Sequence, residues 1–201
     1  MYVFIRILVC CLILLIGLFI TNKQKKKKNM KRTRIIFVIL SIAISSAFMF
    51  LPFENIFATF PTAESAFNYV YSGNVTSVIN GVDSDLVISV KNDSRTLCAV
   101  PKDTDGWKIG LVSDLKPVYK KISNGIIVHV YRYKKSNDYY VTIVDTKGGE
   151  LVIQDNYNSI FQCTVEEDID APETFYRYYA CIHDFNSDYI ITVNDVIFSV
   201  P

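Results

Sequence analysis

Apolar and polar positions divide the chain into three regimes. From Tyr2 to Ile20 the sequence is apolar except for Arg6, and from Ile35 to Leu51 it is apolar again, apart from small hydroxyl side chains, until Pro52. The first stretch, 19 residues long, can cross a hydrocarbon core of about 30 Å as a helix. Arg6 lies near its end, where a long side chain can reach the interface. The second, of 17 residues, is short for a spanning helix and ample for the core of a signal peptide. Residues 52–61 read as a linker, with Phe53, Phe57 and Phe60 suited to the headgroup region. Ala63, Ala66, Phe67 and Val70 then follow the i, i+3, i+4, i+7 spacing of an amphipathic helix over about 63–71. Thr62 is its expected N-cap, Glu64 suits its positive end, and Gly73 supplies a stop.

Beyond that helix the period becomes two. Strands are expected at 75–80, 86–91, 95–100, 107–112, 118–121, 126–133, 139–145, 151–154, 160–165, 174–183, 189–193 and 196–200, rich in Val, Ile, Tyr, Phe and Thr. Turn formers separate them, among them Asp103-Thr-Asp-Gly106, Ser123-Asn-Gly125, Lys147-Gly-Gly149 and Asn194-Asp195. The predicted fold of residues 62–201 is mainly β, an antiparallel meander of short strands with one short N-terminal helix. Phe67, Val70, Val87, Trp107, Val128, Val141, Ile143, Ile182 and Ile191 are its expected buried residues. A weak repeat runs through the segments around Asp85, Asp138 and Asp188, where small polar residues and an Asp precede a β-branched strand. It marks either three related hairpin units or one local turn solution used three times.

Charge fixes a direction. Residues 23–34 carry eight basic residues in twelve, and basic loops stay cytoplasmic. The expected layout is an apolar segment over 1–22, a basic cytoplasmic loop over 23–34, a transmembrane helix or signal-peptide core over 35–51, and an extracytoplasmic domain over 62–201. Membrane lipid would be contacted through residues 2–20 and 35–51. Translation could instead begin at Met30, because Met30-Lys-Arg-Thr-Arg34 followed by an apolar run has the form of a signal sequence. Cleavage near Ala58 would then give a secreted protein. Cys10 and Cys11 do not follow the small residue that precedes a lipid-modified cysteine. Residues 59–201 hold twelve basic and nineteen acidic residues. A domain so acidic is a poor nucleic-acid binder.

Candidate chemistry is sparse, and no catalytic, cofactor-binding or metal-binding residue is assigned. His129 and His183 are the only histidines, and each lies in a strand-like run. Cys98, Cys163 and Cys181 lack metal or redox spacing, although Cys163 and Cys181 could form a bridge. The Asp103–Gly106 run fails the spacing of a calcium loop and reads as a hairpin turn. Glu166-Glu-Asp-Ile-Asp170, with Glu173, is the densest acid cluster: a solvated loop or a weak cation site. No hydrolase elbow, phosphate loop, dinucleotide fingerprint or zinc-protease motif is present. Tyr131, Tyr133, Tyr139, Tyr140, Tyr176, Tyr178, Tyr179 and Tyr189 sit on expected strands, as core residues or as a recognition face.

Met30-Lys-Arg-Thr-Arg34, the apolar export segment, Thr62-Ala-Glu-Ser-Ala-Phe67 and the Tyr189–Asp195 hairpin together resemble small exported or membrane-anchored proteins of Gram-positive bacteria. That resemblance covers residues 30–201 and implies export, without catalytic or binding residues. The expected function is a non-enzymatic interaction or sensing module for a protein or cell-envelope ligand, with no nucleic acid. A small envelope hydrolase, or an immunity protein of the envelope, is the alternative.

Overall fold

The computed structural model describes residues 2–23, 30–50, 52–92, 94–167, 174–185 and 188–201. The chain forms two compact units, Met1–Ala58 and Thr59–Pro201.

The first unit contains helices α1 (Tyr2–Lys23) and α2 (Met30–Phe50) and a 3-10 turn at Phe53–Ile56. The helices pack antiparallel through small residues. Cys10 Sγ donates to the Ser45 carbonyl at 3.5 Å, and a Cβ added at Gly17 would lie 2.7 Å from Ser41 Oγ. Small side chains let two helix backbones approach in this way. Arg6 does not reach outward as its sequence position suggests. It is buried against Glu54, donating through Nε at 3.3 Å and Nη2 at 2.8 Å. The pair exists because α2 returns the chain to the start of α1, and a buried guanidinium needs a carboxylate. Counted over the described residues, no helix is long and apolar enough to cross a membrane; the basic loop at 24–29 and Leu51 lie outside them.

In the second unit, α3 (Ala63–Val70) starts as expected. Thr62 Oγ1 accepts from the Ser65 backbone, and Ser65 Oγ returns a bond to the Thr62 backbone. This reciprocal cap satisfies two otherwise orphaned donors. The strands are β1 (Asn74–Asn80), β2 (Ser84–Lys91), β3 (Ser94–Asp103), β4 (Gly106–Trp107), β5 (Leu115–Ser123), β6 (Ile126–Tyr133), β7 (Asp138–Asp145), β8 (Ile153–Asp155), β9 (Gln162–Glu167), β10 (Thr174–His183), β11 (Tyr189–Val193) and β12 (Val196–Val200). Every strand pair is antiparallel.

The order departs from a simple meander. Three sheets form, β1-β2-β3-β4, β5-β6-β7-β10-β9 and β12-β11-β8. Strand β8 leaves for the third sheet, and β10 inserts between β7 and β9. The composition of β10 explains its central place. Tyr178, Ala180 and Ile182 bury on one face while Tyr179 buries on the other, and a strand buried on both faces belongs inside a sheet. Expected strand 107–112 is cut to Gly106–Trp107. The chain then passes so close to β3 that a Cβ on Gly110 would fall 1.9 Å from the Ala99 carbonyl oxygen.

Alternating residues assign the layers. Val87, Cys98 and Val100 face α3, packing with Ala63, Ala66 and Phe67. Leu86, Ile88 and Ala99 point the other way, onto Tyr133, Tyr140 and Tyr179 of the second sheet. That sheet's opposite face, with Val128, Val130, Val141 and Ile143, packs on Tyr189, Ile191, Phe198 and Val200 of the third. Seven of the nine residues expected in the core are buried, whereas Val70 and Trp107 are half-buried. Phe60 forms a bridge with Trp107 and packs under α3 instead of lying in a headgroup region. The Asn-Gly and Asn-Asp hairpins take the left-handed turn expected of them, with φ of 52° and 85° at Asn124 and Gly125 and of 45° and 67° at Asn194 and Asp195.

Gly110→Ala should destabilise the protein by roughly 2 kcal/mol, because the new methyl overpacks against a β3 carbonyl that sheet pairing holds in place. Urea unfolding followed by tryptophan fluorescence measures this; an unchanged midpoint would mean that the 108–114 segment shifts freely.

Candidate functional site

The structure brings chemistry-bearing side chains together in two places. The first is a buried lock at one end of the interface between the first two sheets. Asp138 opens β7 and is fully buried. Its Oδ1 accepts from the Val82 backbone at 3.3 Å and lies 2.9 Å from His183 Nδ1; its Oδ2 accepts from Asp83 N at 2.9 Å, Ser84 N at 2.8 Å and Ser84 Oγ at 2.9 Å. Ser84 Oγ also lies 2.7 Å from the Tyr140 hydroxyl. The Gly81–Ser84 turn between β1 and β2 is thereby fastened to the second sheet. Asp85 holds the turn's other side, accepting from Gly81 N at 3.2 Å and Trp107 Nε1 at 2.7 Å and pairing with Lys102 at 2.9 Å.

The lock resembles two kinds of reactive site without having the geometry of either. Asp83, Asp138 and His183 offer ligand atoms within 4.8 Å of one another. However, Asp138 already takes five donors, and His183 Nε2 lies 3.2 Å from Asp184, so protein groups occupy the ligand atoms of two of the three. Ser84 and His183 both meet the carboxylate but not each other, so no base faces the serine as a hydrolytic triad requires.

The second place is a groove of about 470 Å³ on the same face of the second sheet. Register puts Lys120, His129, Thr142 and Tyr179 in one row across β5, β6, β7 and β10. Arg177 lies two residues along β10 from Tyr179, and Arg95 enters from β3. Leu97, Ile127 and Val144 supply apolar walls. His129 Nδ1 lies 2.8 Å from the Tyr131 hydroxyl, whereas its Nε2 is buried with no partner among the described residues. Burial lowers the His129 pKa, and Lys120 adds to the effect. Burial likewise lowers that of Arg95, with the like charge of Arg177 contributing.

No protein-family model matches the chain, and no curated protein or solved structure is similar to it. The groove is therefore read from its own chemistry. Three of the domain's twelve cationic side chains line it together with the His129 imidazole, and the described lining residues include no acid.

The remaining candidates separate. His129 and His183 do not meet: in the β7–β10 region their rows lie four residues apart, at Thr142 and at Asp138. Cys163 stands opposite Tyr178 and Cys181 opposite Tyr140, so no bridge joins them, and all five cysteines are thiols. Burial pushes Cys98 and Cys181 up to about 12, which leaves both poorly nucleophilic. Asp103 and Gly106 pair across a hairpin turn. The side chains of Glu166, Glu167, Asp168, Asp170 and Glu173 lie outside the described residues. Of the tyrosines, Tyr133, Tyr140, Tyr178, Tyr179 and Tyr189 are buried in the core, and Tyr131 and Tyr179 also line the groove. The proposed repeat does not share one role. Asp138 binds a turn 54 to 56 residues away, Asp85 binds a nearby one, and Asp188 is exposed.

Asp138→Asn should cost roughly 3 kcal/mol, since an amide turns an N–H toward donors that need an acceptor; Asp188→Asn should leave the urea midpoint within about 0.5 kcal/mol of wild type. The hydrogen bond to Asp138 raises the His183 pKa above its ordinary 6.5. Its stabilisation is therefore complete below that value and is lost as pH rises through the raised pKa. A lower melting temperature in mildly alkaline than in neutral buffer, abolished by His183→Gln, is the expected result.

Proposed function

We propose that the Thr59–Pro201 unit is a non-enzymatic interaction or sensing module, displayed outside the cytoplasm and tethered by residues 2–20 and 35–51. The observation that carries the binding reading is the groove. It presents hydrogen-bond donors and apolar walls in a concavity of ligand size, and no serine or cysteine is among its described lining residues. The alternative, an envelope hydrolase, rests on the acid run at 166–173, for which the groove offers no support.

The membrane reading draws on sequence and on the first unit together. The contacts Arg6–Glu54, Cys10–Ser45 and Gly17–Ser41 run in opposite directions along α1 and α2. An antiparallel hairpin brings both its outer ends to one side, opposite the helix ends at Lys23 and Met30. A loop with eight basic residues in twelve resists transfer, because each charge costs about 2.5–3.5 kcal/mol at the bilayer centre. A membrane potential negative inside opposes the transfer further. The loop then stays inside and residue 59 onward lies outside.

Cysteine labelling on intact cells tests this, with the five native cysteines replaced by alanine. Asp105→Cys, on an exposed hairpin turn, should react with a membrane-impermeant maleimide, and Gln24→Cys should react only after lysis. Labelling of position 24 alone would reverse the orientation. A mature N-terminus at Thr59 would retain the location and replace the anchor with a cleaved signal peptide.

A further inference from the structure

We propose that His183 is a proton-operated latch at the end of β10, which holds Asp184 and Phe185 against the sheet while its imidazole is charged and releases them locally when the proton leaves. The latch goes beyond the interaction-module reading and does not depend on what the groove binds. The first argument is geometry. His183 is the last residue of β10, and both its ring nitrogens face carboxylates. Nδ1 lies 2.9 Å from Asp138 Oδ1, and Nε2 lies 3.2 Å from Asp184 Oδ2. A neutral imidazole has one N–H and one lone pair. Only the imidazolium presents a proton to both oxygens, so these contacts are those of the charged ring.

The second argument is the surrounding charge. The ionisable groups that face the ring are Asp138 at the start of β7, Asp184 just beyond β10 and Asp83 in the β1–β2 turn, all of them acids. Lys102 of β3 is engaged by Asp85 and the Gly81 carbonyl, and Arg132 of β6 by Asn137 and the Tyr139 ring. Loss of the proton therefore gathers three carboxylates around an uncharged ring, and like charges at this range repel. Asp138 is fully buried and keeps Nδ1–H, so the departing proton is that of Nε2. The lone pair left behind faces Asp184, whose side chain is 63% exposed and can turn into solvent.

The third argument is what the latch holds. Asp184 has φ of 53°, a left-handed backbone that needs support at a residue other than glycine. Its amide donates to the Asn137 carbonyl at 3.0 Å. Phe185 follows, with its ring centroid 4.2 Å from that of Tyr139 and 5.5 Å from that of Tyr189. Release of Asp184 lets Phe185 withdraw and uncovers both tyrosine rings, while the ladder keeps β7 and β10 paired. A change of pH becomes a change of surface.

The test uses the full chain in neutral-detergent micelles. Imidazole NMR, with His183 assigned by the signal lost in His183→Gln, should give a midpoint above the ordinary 6.5. Exchange of the Asp184 amide, corrected for the intrinsic rate at each pH, reads the opening. Its protection should fall as pH rises from 6.5 to the His183 midpoint, by about tenfold for each unit separating the two. Amides of the β6–β7 ladder should stay better protected at every pH, because they exchange only when the sheet opens. Asp184→Asn retains a residue that tolerates the left-handed turn and removes the repulsion. It should lower the His183 midpoint and flatten the pH dependence of the residue 184 amide, whereas the exposed Asp188→Asn should match wild type. A His183 midpoint at or below 6.5, an unchanged profile in Asp184→Asn, or equal protection of the residue 184 amide and the β6–β7 ladder would overturn the latch. Each of these results leaves the groove and the interaction-module reading as they stand.

Discussion

The buried carboxylate of Asp138 is the constraint on which the arrangement of the Thr59–Pro201 domain depends. An ionised carboxylate removed from water is costly unless every lone pair finds a donor. Here the partners come from two separate stretches of chain, the Val82–Ser84 turn with its serine hydroxyl and the end of β10. Satisfying one group therefore fixes the first sheet against the second. The adjoining turn has no slack, since a Cβ at Gly81 would lie 2.5 Å from the Ser84 carbonyl and 2.9 Å from Asp138. Lys102 bonds the Gly81 carbonyl at 2.6 Å from the other side. Hydrophobic contact between Leu86, Ile88, Ala99 and the tyrosines of the second sheet holds the layers together, but such contact is non-directional. The polar lock gives it a single register.

The groove is the other consequence of that register. Asp138 and His183 face each other at one end of the β7–β10 ladder, and Thr142 and Tyr179 follow four residues along it. On β3 the sequence runs from Pro101, opposite Ser84, through Ala99 and Leu97 to Arg95. One end of the sheet interface is thus closed by hydrogen bonds, its middle is filled by tyrosines, and its far end carries arginines from both sheets. The hydrogen-bonded lock and the groove are separated along one strand pair, so a change at one end need not disturb the other.

Much of the local structure was legible from the sequence. The Thr62 cap, the Asn-Gly hairpin and the two-residue period of β6, β10, β11 and β12 follow from rules acting over a few residues. The sheet order was not legible, because nothing local tells β8 to join a different sheet or β10 to cross ahead of β9. Asp138 was misread for the same reason: an Asp before a strand is usually a local turn former, whereas its partners here lie more than fifty residues upstream, in the Val82–Ser84 turn, and 45 residues downstream, at His183. The groove escaped because Arg95, Lys120 and Arg177 each look like solvated charges on separate strands. One signal was available. Arg177 shares a strand face with Tyr179 and Cys181, and a charge on an otherwise inward face asks for an explanation.

The opposed charges of groove and domain also bear on how a ligand would be held. A domain with seven more acids than bases repels an anion at long range and gives it no electrostatic steering. Screening limits that repulsion, since the Debye length at physiological salt is about 8 Å. An anion inside the groove therefore interacts chiefly with the cations lining it and only weakly with acids on distant turns. Selectivity under these conditions comes from short-range geometry.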